Sequence, residues 1–226
     1  MEYKVIGSVM PVVELTLAGG EEIYAQPGSM SWMDEGITME TNTGGLFKGL
    51  KRSLMGEKMF LVYFSATREG AQVSFGHSFP GHIIPVDVAR QSIICQKRAF
   101  LCAQKGVELD IAFQRRLGAG LFGGEGFIMQ RLSGQGTAFI EIDGECVVRD
   151  LDVGETIHVE TGNVATYEES VNMDIQMVKG LKNIFFGGEG LFMTTLRGPG
   201  RVWLQTMPLQ NLARDLIPFM PKPSSK

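Results

Sequence analysis

Residues Gly120 to Gly136 read Gly-Leu-Phe-Gly-Gly-Glu-Gly-Phe-Ile-Met-Gln-Arg-Leu-Ser-Gly-Gln-Gly, and residues Ile184 to Gly200 read Ile-Phe-Phe-Gly-Gly-Glu-Gly-Leu-Phe-Met-Thr-Thr-Leu-Arg-Gly-Pro-Gly. Of the fifteen aligned pairs that begin with Phe122 over Phe186, nine are identical, and the alignment needs no gap. A repeat at a fixed spacing is typical of units that stack against copies of themselves. The stretch therefore predicts a repetitive architecture and indicates little about chemistry.

A third and more divergent copy of the pattern precedes these two. Gly28 to Gly36 has the same spacing as Gly162 to Ser170, and the middle copy runs from Ser92 to Ile111. In the first copy apolar and polar residues alternate on both sides of Asp34-Glu35-Gly36, which predicts a β-hairpin with its turn at these three residues. Short strands at regular spacing, separated by glycine-rich turns, predict an all-β sandwich or barrel fold.

The repeats predict three β-sandwich units, at 1–88, 89–154 and 155–207, that form one compact domain. The first unit differs by a basic insertion near 48–58. Helical spacing is confined to the C-terminal end, where Leu209, Leu212 and Leu216 fall on one face between Pro208 and Pro218. This spacing predicts one helix at 208–217, followed by a tail at 218–226.

The composition narrows the class of protein. Hydrophobic residues make up 44% of the chain and charged residues 20%, as in globular domains. No apolar run approaches the roughly 18 residues of a membrane span, and the first residues lack the pattern of a signal peptide, so we expect a cytoplasmic protein. Cys95, Cys102 and Cys146 lie in apolar runs, which predicts buried, reduced thiols. A net charge of −4 argues against nucleic-acid binding.

The three copies of the glycine-rich pattern, the insertion between Phe47 and Gly56 and the terminal Leu-Ala-Arg helix together resemble the mitochondrial-biogenesis (altered inheritance of mitochondria) family and its bacterial relatives of unknown function. The resemblance covers nearly the whole chain. It implies a fold similar to the tryptophan RNA-binding attenuation protein, with double-stranded β-helix-like sandwiches repeated about a pseudo-threefold axis. It implies no reaction, cofactor or catalytic residue. The first unit departs from the pattern, because Lys48-Gly49 and the insertion replace Gly-Gly-Glu-Gly.

Several sequence patterns resemble enzyme or cofactor sites, but each is better explained by a structural role. Gly118 to Gly123 matches G-x-G-x-x-G, but a β-type run follows it instead of the helix that would hold a pyrophosphate. His77, His82 and His158 do not have the spacing of a cupin metal site. We therefore predict no catalytic, cofactor or metal residues. We assign the repeated glycine and glutamate positions to structural turns: Gly123, Gly124, Glu125, Gly126, Gly187, Gly188, Glu189 and Gly190.

Bulky apolar residues at the glycine-flanked loop tips, together with the basic insertion, form the candidate interaction face. Its members are Leu46, Phe47, Lys48, Lys51, Arg52, Leu121, Phe122, Phe185 and Phe186. We predict a non-enzymatic assembly, scaffold or binding module that binds itself or another protein, with no small-molecule substrate identified. The alternatives are a module that binds an anionic membrane surface, an RNA-binding module, and a cupin-like small-molecule-binding protein or enzyme.

Overall fold

The computed structural model describes residues 1–41, 61–76, 79–115, 126–177 and 192–220. Within these ranges the chain is almost entirely antiparallel β-structure, with one α-helix at its C-terminal end, so the predicted fold class is confirmed. The first strands are β1 (Glu2–Ile6), β2 (Val12–Leu17), β3 (Glu22–Ala25), β4 (Met30–Met33), β5 (Ile37–Thr41), β6 (Val62–Ala66) and β7 (Ala71–Gly76). The next are β8 (Gly81–Asp87), β9 (Ile93–Gln96), β10 (Phe100–Gln104), β11 (Val107–Arg115), β12 (Phe127–Gly134) and β13 (Thr137–Asp143). The last elements are β14 (Cys146–Leu151), β15 (Thr156–Glu160), β16 (Val164–Glu168), β17 (Asn172–Met177), β18 (Phe192–Arg197), β19 (Gly200–Gln205) and α1 (Leu209–Leu216).

The same strand pairings occur three times along the chain. We call β2–β7 segment 1, β8–β13 segment 2 and β14–β19 segment 3. In segment 1, β2-β7-β4 and β5-β6-β3 form two groups of three strands, and β1 extends the first group by pairing with β2. Segment 2 repeats this arrangement as β8-β13-β10 and β11-β12-β9, and segment 3 repeats it as β14-β19-β16 and β17-β18-β15. These pairings are consistent with the three repeated units, whose boundaries and pseudo-threefold axis stay predictions.

A β-bulge marks the third strand of every segment. The register against the neighbouring strand shifts between Met30 and Trp32 in segment 1. It shifts between Phe100 and Cys102 in segment 2, and between Val164 and Thr166 in segment 3. A bulge places two residues opposite one and bends the strand, so each third strand turns at the same point.

The predicted hairpin around Asp34-Glu35-Gly36 is wrong. β4 pairs with β7, whereas β5 pairs with β6 in a different sheet, so the turn connects two sheets instead of two neighbouring strands. The Asp34 Oδ1 atom accepts a hydrogen bond from the Gly36 N–H at 2.7 Å, which closes the turn. A Cβ atom at Gly36 would lie 2.9 Å from the Cβ of Ala71, so the crossing is too close for a larger residue.

Three apolar cores lie between the sheets, and each one includes residues of a neighbouring segment. The first contains Phe64 and Phe75, whose rings meet edge-on at 5.0 Å, and it also takes Leu101, Cys102 and Phe139 from segment 2. In β13 five consecutive residues, Ala138 to Ile142, are buried, because this strand has a core on each face. The segments are therefore joined through shared cores as well as through hydrogen bonds.

The C-terminal helix is present where the sequence predicts one, and two of the three cysteines are buried as predicted. α1 lies within the predicted 208–217, and the Asp143 Oδ2 atom accepts a hydrogen bond from the Leu209 N–H at 3.0 Å at its start. All the cysteines are free thiols, with Cys95 and Cys102 buried and Cys146 half-buried. Burial raises the pKa of Cys95 from 9.0 to about 12 and raises that of Cys102 as well, as expected for inert core thiols.

Candidate interaction surfaces

The candidate interaction face predicted from the sequence lies outside the described residues. This holds for Leu46, Phe47, Lys48, Lys51, Arg52, Leu121, Phe122, Phe185 and Phe186, and for all the predicted turn residues except Gly126. Gly126 precedes β12 with a φ of 80°, a left-handed conformation that favours glycine. The interaction face itself stays a prediction.

The described residues reveal a different kind of contact, in which one segment joins the next by pairing sheet edges. We call the antiparallel pair β3–β10 joint I and the antiparallel pair β9–β16 joint II. Joint I merges the second sheet of segment 1 with the first sheet of segment 2, and joint II does the same for segments 2 and 3. Each joint therefore produces one continuous six-stranded sheet.

The two joints have the same register. In joint I, Cys102 lies opposite Ala25, Ala103 opposite Tyr24 and Gln104 opposite Ile23. In joint II, Thr166 lies opposite Cys95, Tyr167 opposite Ile94 and Glu168 opposite Ile93. In both cases the contact begins at the residue directly after the β-bulge.

A glutamine side chain supports each joint from an equivalent position. Gln26 follows Ala25 and donates from Nε2 to the Lys97 carbonyl oxygen at 2.6 Å. Gln96 follows Cys95 and donates from Nε2 to the carbonyl oxygens of Gly162, at 3.3 Å, and Val164. The acceptor in joint I lies in the turn before β10, and the acceptors in joint II lie in the turn before β16 and at the first residue of β16. The amide therefore fixes the start of the third strand against the neighbouring segment.

Hydroxyl groups add a second polar contact at each joint. The Tyr24 hydroxyl donates to the Val107 carbonyl oxygen at 2.9 Å, and burial raises the pKa of Tyr24. The Thr166 hydroxyl donates to the Ile94 carbonyl oxygen at 3.0 Å. The first of these hydrogen bonds is buried and the second is partly buried, and both satisfy polar groups that would otherwise destabilise the packed joint.

One third strand, β4, and one second strand, β15, form no joint among the described residues. Among the described residues β4 is hydrogen-bonded only to β7, and β15 only to β18, although β4 corresponds to β10 and β16, and β15 corresponds to β3 and β9. Trp32 is 52% exposed and Met33 37%, whereas Cys102 and Thr166, the counterparts of Trp32, are 0% and 1% exposed. The chain thus presents two sheet edges of complementary type. We call them the β4 edge and the β15 edge.

Sequence reasoning missed these edges although a signal was present. At the position where segments 2 and 3 carry Cys102 and Thr166, segment 1 carries Trp32. A much larger residue at a repeated core position indicates a different environment for that copy. Aligning the third strands with one another, instead of only the glycine-rich stretches, would have identified the β4 edge.

A polar cavity of about 390 Å³ lies beside joint I. Its lining combines the turn at 26–29 with Gln96, Lys97 and Arg98, and it also includes Glu141 and Gln210. The histidines weighed for a cupin-like site are elsewhere: His82 Nδ1 lies 2.9 Å from the Gly144 carbonyl oxygen, and His158 Nδ1 lies 3.1 Å from Thr195 Oγ1. His77 is outside the described residues, which contain no cluster of three potential metal ligands.

The chain matches one family model and is similar to two proteins of Streptococcus pyogenes. The family model described as mitochondrial biogenesis AIM24 matches residues 3–207. An uncharacterized protein of Streptococcus pyogenes serotype M6 is 27% identical, and the match covers 95% of this chain and 89% of the relative. A crystal structure of a Streptococcus pyogenes protein superposes with a TM-score of 0.78 at 24% identity, covering 97% of this chain and 99% of the other. In the part of the chain that is described, no helix has the length and apolarity to cross a membrane.

Proposed function

The chain belongs to the mitochondrial biogenesis AIM24 family, and from this premise we propose that it is a non-enzymatic assembly module that binds copies of itself. One observation carries the proposal, namely the exposed β4 edge with Trp32 and Met33 at positions that are buried in the other two segments. Unpaired sheet edges with apolar side chains readily accept another strand. The chain also supplies the complementary β15 edge, so a second copy offers a fitting partner.

Packing at the two joints explains why an edge of this type favours association. Leu101 and Cys102 of segment 2 lie in the core of segment 1, and Ala165 of segment 3 lies in the core of segment 2. Each third strand therefore covers the core of the preceding segment. The corresponding residues of segment 1, Ser31 and Trp32, are exposed and belong to none of the three cores of the described residues.

Light scattering coupled to size-exclusion chromatography tests the proposal. The chain has a mass of 24.8 kDa, and we expect higher multiples of this mass at concentrations from about 1 to about 100 μM, the range of ordinary reversible association. A mass of one chain throughout this range would refute self-assembly.

A pair of substitutions identifies the surface involved. Trp32→Lys places a charge on the β4 edge and should shift the protein toward one chain, because an edge lysine opposes strand addition. Val9→Lys is the matched control, since Val9 is 66% exposed in the loop between β1 and β2. Equal thermal midpoints for both variants would show that folding is intact. Unchanged assembly in Trp32→Lys would assign the contact to another surface.

A further inference from the structure

The polar cavity beside joint I has an acidic residue where the next copy of the repeat has an amide. Glu141 stands 64 residues before Gln205, and each follows the residue that lies opposite the first residue of a third strand. Both side chains are buried. Gln205 donates from Nε2 to the Gly162 carbonyl oxygen. A carboxylate cannot donate in this way, so Glu141 brings only acceptor oxygens to the cavity.

Two amide side chains add acceptors to the same cavity. Gln96 is 5% exposed, and its Nε2 atom donates to the carbonyl oxygens of Gly162 and Val164, so Oε1 is the atom of this amide that accepts. Gln210 lines the cavity from α1, and its buried Oε1 atom has no hydrogen-bond partner among the described residues. Buried polar atoms are normally paired, so the cavity suits a group that donates several hydrogen bonds.

Positive charge lies beside these acceptors. Lys97 and Arg98 directly follow Gln96 and line the cavity, with Lys97 half-buried and Arg98 exposed. The Gln26 Nε2 atom donates to the Lys97 carbonyl oxygen at 2.6 Å, and the Gln26 carbonyl oxygen accepts hydrogen bonds from the N–H and the hydroxyl of Ser29. The two turns that border the cavity are thus held by hydrogen bonds of their own, which lowers the cost of ordering them around a ligand.

We propose that the polar cavity binds a small zwitterion, with its ammonium group against Glu141, Gln96 and Gln210 and its anionic group against Lys97 and Arg98. An ammonium group has three donors and no acceptor, which matches one carboxylate and two amide oxygens. Carboxylate and phosphate groups form strong charge-assisted hydrogen bonds with lysine and arginine. The volume of about 390 Å³ lies within the range of small-molecule sites, about 300–1,000 Å³.

This inference adds a ligand to the proposed assembly module and does not depend on assembly. The described residues that line the cavity belong to one chain, and none of them lies in β4 or β15. Each chain therefore carries a complete site of its own, and we expect one zwitterion per chain. Trp32→Lys should bind the zwitterion as the natural protein does, whatever its effect on the mass in solution.

Isothermal titration calorimetry with simple probes tests the proposal. The zwitterions 4-aminobutyrate and O-phosphoethanolamine join an ammonium group to a carboxylate or a phosphate, whereas n-butylamine and butyrate carry a single charged group. We expect at least one zwitterion to bind with a dissociation constant below about 1 mM, as its small size permits. Butylamine and butyrate should bind at least about ten-fold more weakly, because each lacks one of the two charged contacts. The tighter zwitterion distinguishes a carboxylate ligand from a phosphate ligand.

Two variants locate the site. Glu141→Gln introduces the residue of segment 3 at nearly the same size and removes the negative charge, so it should weaken zwitterion binding at least about ten-fold. Arg98→Gln removes a cation at the border of the cavity and should weaken binding about three-fold or more. Glu145→Gln and Arg90→Gln are the matched controls, because these exposed side chains do not line the cavity. Both controls should bind like the natural protein.

Three results would overturn the inference. One is the absence of both binding heat and a rise in thermal midpoint with either zwitterion at about 10 mM. Another is equal binding of butyrate or butylamine, since the cavity would then recognise a single charge. The last is zwitterion binding that neither Glu141→Gln nor Arg98→Gln weakens, which would assign the ligand to another surface. If Glu141→Gln does not fold, Arg98→Gln decides the question, because Arg98 is exposed and outside the core.

Discussion

The side chain of Gln205 ties three parts of the backbone together, and its replacement tests how the third segment is held. Its Nε2 atom donates to the Gly162 carbonyl oxygen at 2.8 Å, and its Oε1 atom accepts from the Asp143 N–H at 3.1 Å. The residue is buried at the end of β19. Gln205→Met keeps the length of the side chain and removes both hydrogen bonds.

The expected loss follows from these contacts. Asp143 N–H loses its bond to Gln205, while Gly162 retains a weaker bond from Gln96 Nε2 at 3.3 Å. Buried hydrogen bonds contribute about 1 kcal/mol each, and a poorly satisfied buried donor adds to the cost. We expect a loss of about 2–3 kcal/mol in the free energy of unfolding. For a chain of this size that corresponds to a fall of about 4–12 °C in the thermal midpoint.

Urea unfolding and calorimetry measure the change, with Gln176→Met as the matched control. Gln176 is exposed, and its Nε2 atom donates to Asp174 Oδ2 at 3.1 Å at the surface. The same substitution should therefore change stability there by less than about 0.5 kcal/mol. If Gln205→Met and Gln176→Met are equally stable, the buried amide does not hold the third segment and the reasoning fails.

Gln205→Glu refines the test through its pH dependence. A carboxylate at this position accepts the Asp143 N–H but repels the Gly162 carbonyl oxygen, whereas a protonated carboxyl can donate to it. The folded-state pKa of the new carboxyl is therefore raised above its unfolded value of about 4.3. Since the folded state then binds the proton more tightly, the variant should gain stability relative to the natural protein as pH falls from about 8 to about 5. A deficit that is constant with pH would refute this assignment.

Three further predictions concern thiols, core and surface. Because the pKa of Cys95 rises from 9.0 to about 12 on folding, the free energy of unfolding should fall as the pH rises through this range. Cys95→Ala should make that fall less steep by about 1.4 kcal/mol per pH unit, as measured by urea unfolding. Phe139→Ala removes a ring shared by two segments and should lower the calorimetric midpoint by about 6–20 °C; a fall under about 3 °C would contradict the shared core. Asp150→Asn breaks an exposed pair with Arg201 and should leave the midpoint unchanged.

The strands were predictable because alternation and turns are local properties. In β2, Val13, Leu15 and Leu17 are buried, and the residues between them are half-buried, as alternation requires. The repeated stretches 120–136 and 184–200 likewise contain β12 and β18. Local patterns specify which residues face a core, and the folded chain buries those same residues.

Strand partners were not predictable because the same local pattern is compatible with different pairings. The residues around Asp34 and Gly36 carry a genuine turn signal, and the turn is present. The chain nevertheless crosses there between two sheets, because β4 is bulged and bonded to β7. Period-two alternation fixes the buried face of a strand but leaves its neighbours undetermined, so the predicted hairpin was wrong although its strands were right.

The β4 and β15 edges are free because the three similar segments follow one another in a line and are connected by joints. Among the described residues two joints connect three segments, and they leave the third strand β4 and the second strand β15 without a joint. Under the proposed self-assembly through these edges, each added copy fills one such edge and supplies another, so the contact is head-to-tail. Contacts of this kind produce a closed ring when the rotation between copies closes and an open filament when it does not. Glu160 stands 64 residues after Gln96 in the repeat, and a carboxylate cannot donate to a backbone carbonyl as that glutamine does, so a contact between copies lacks the amide donor of joints I and II.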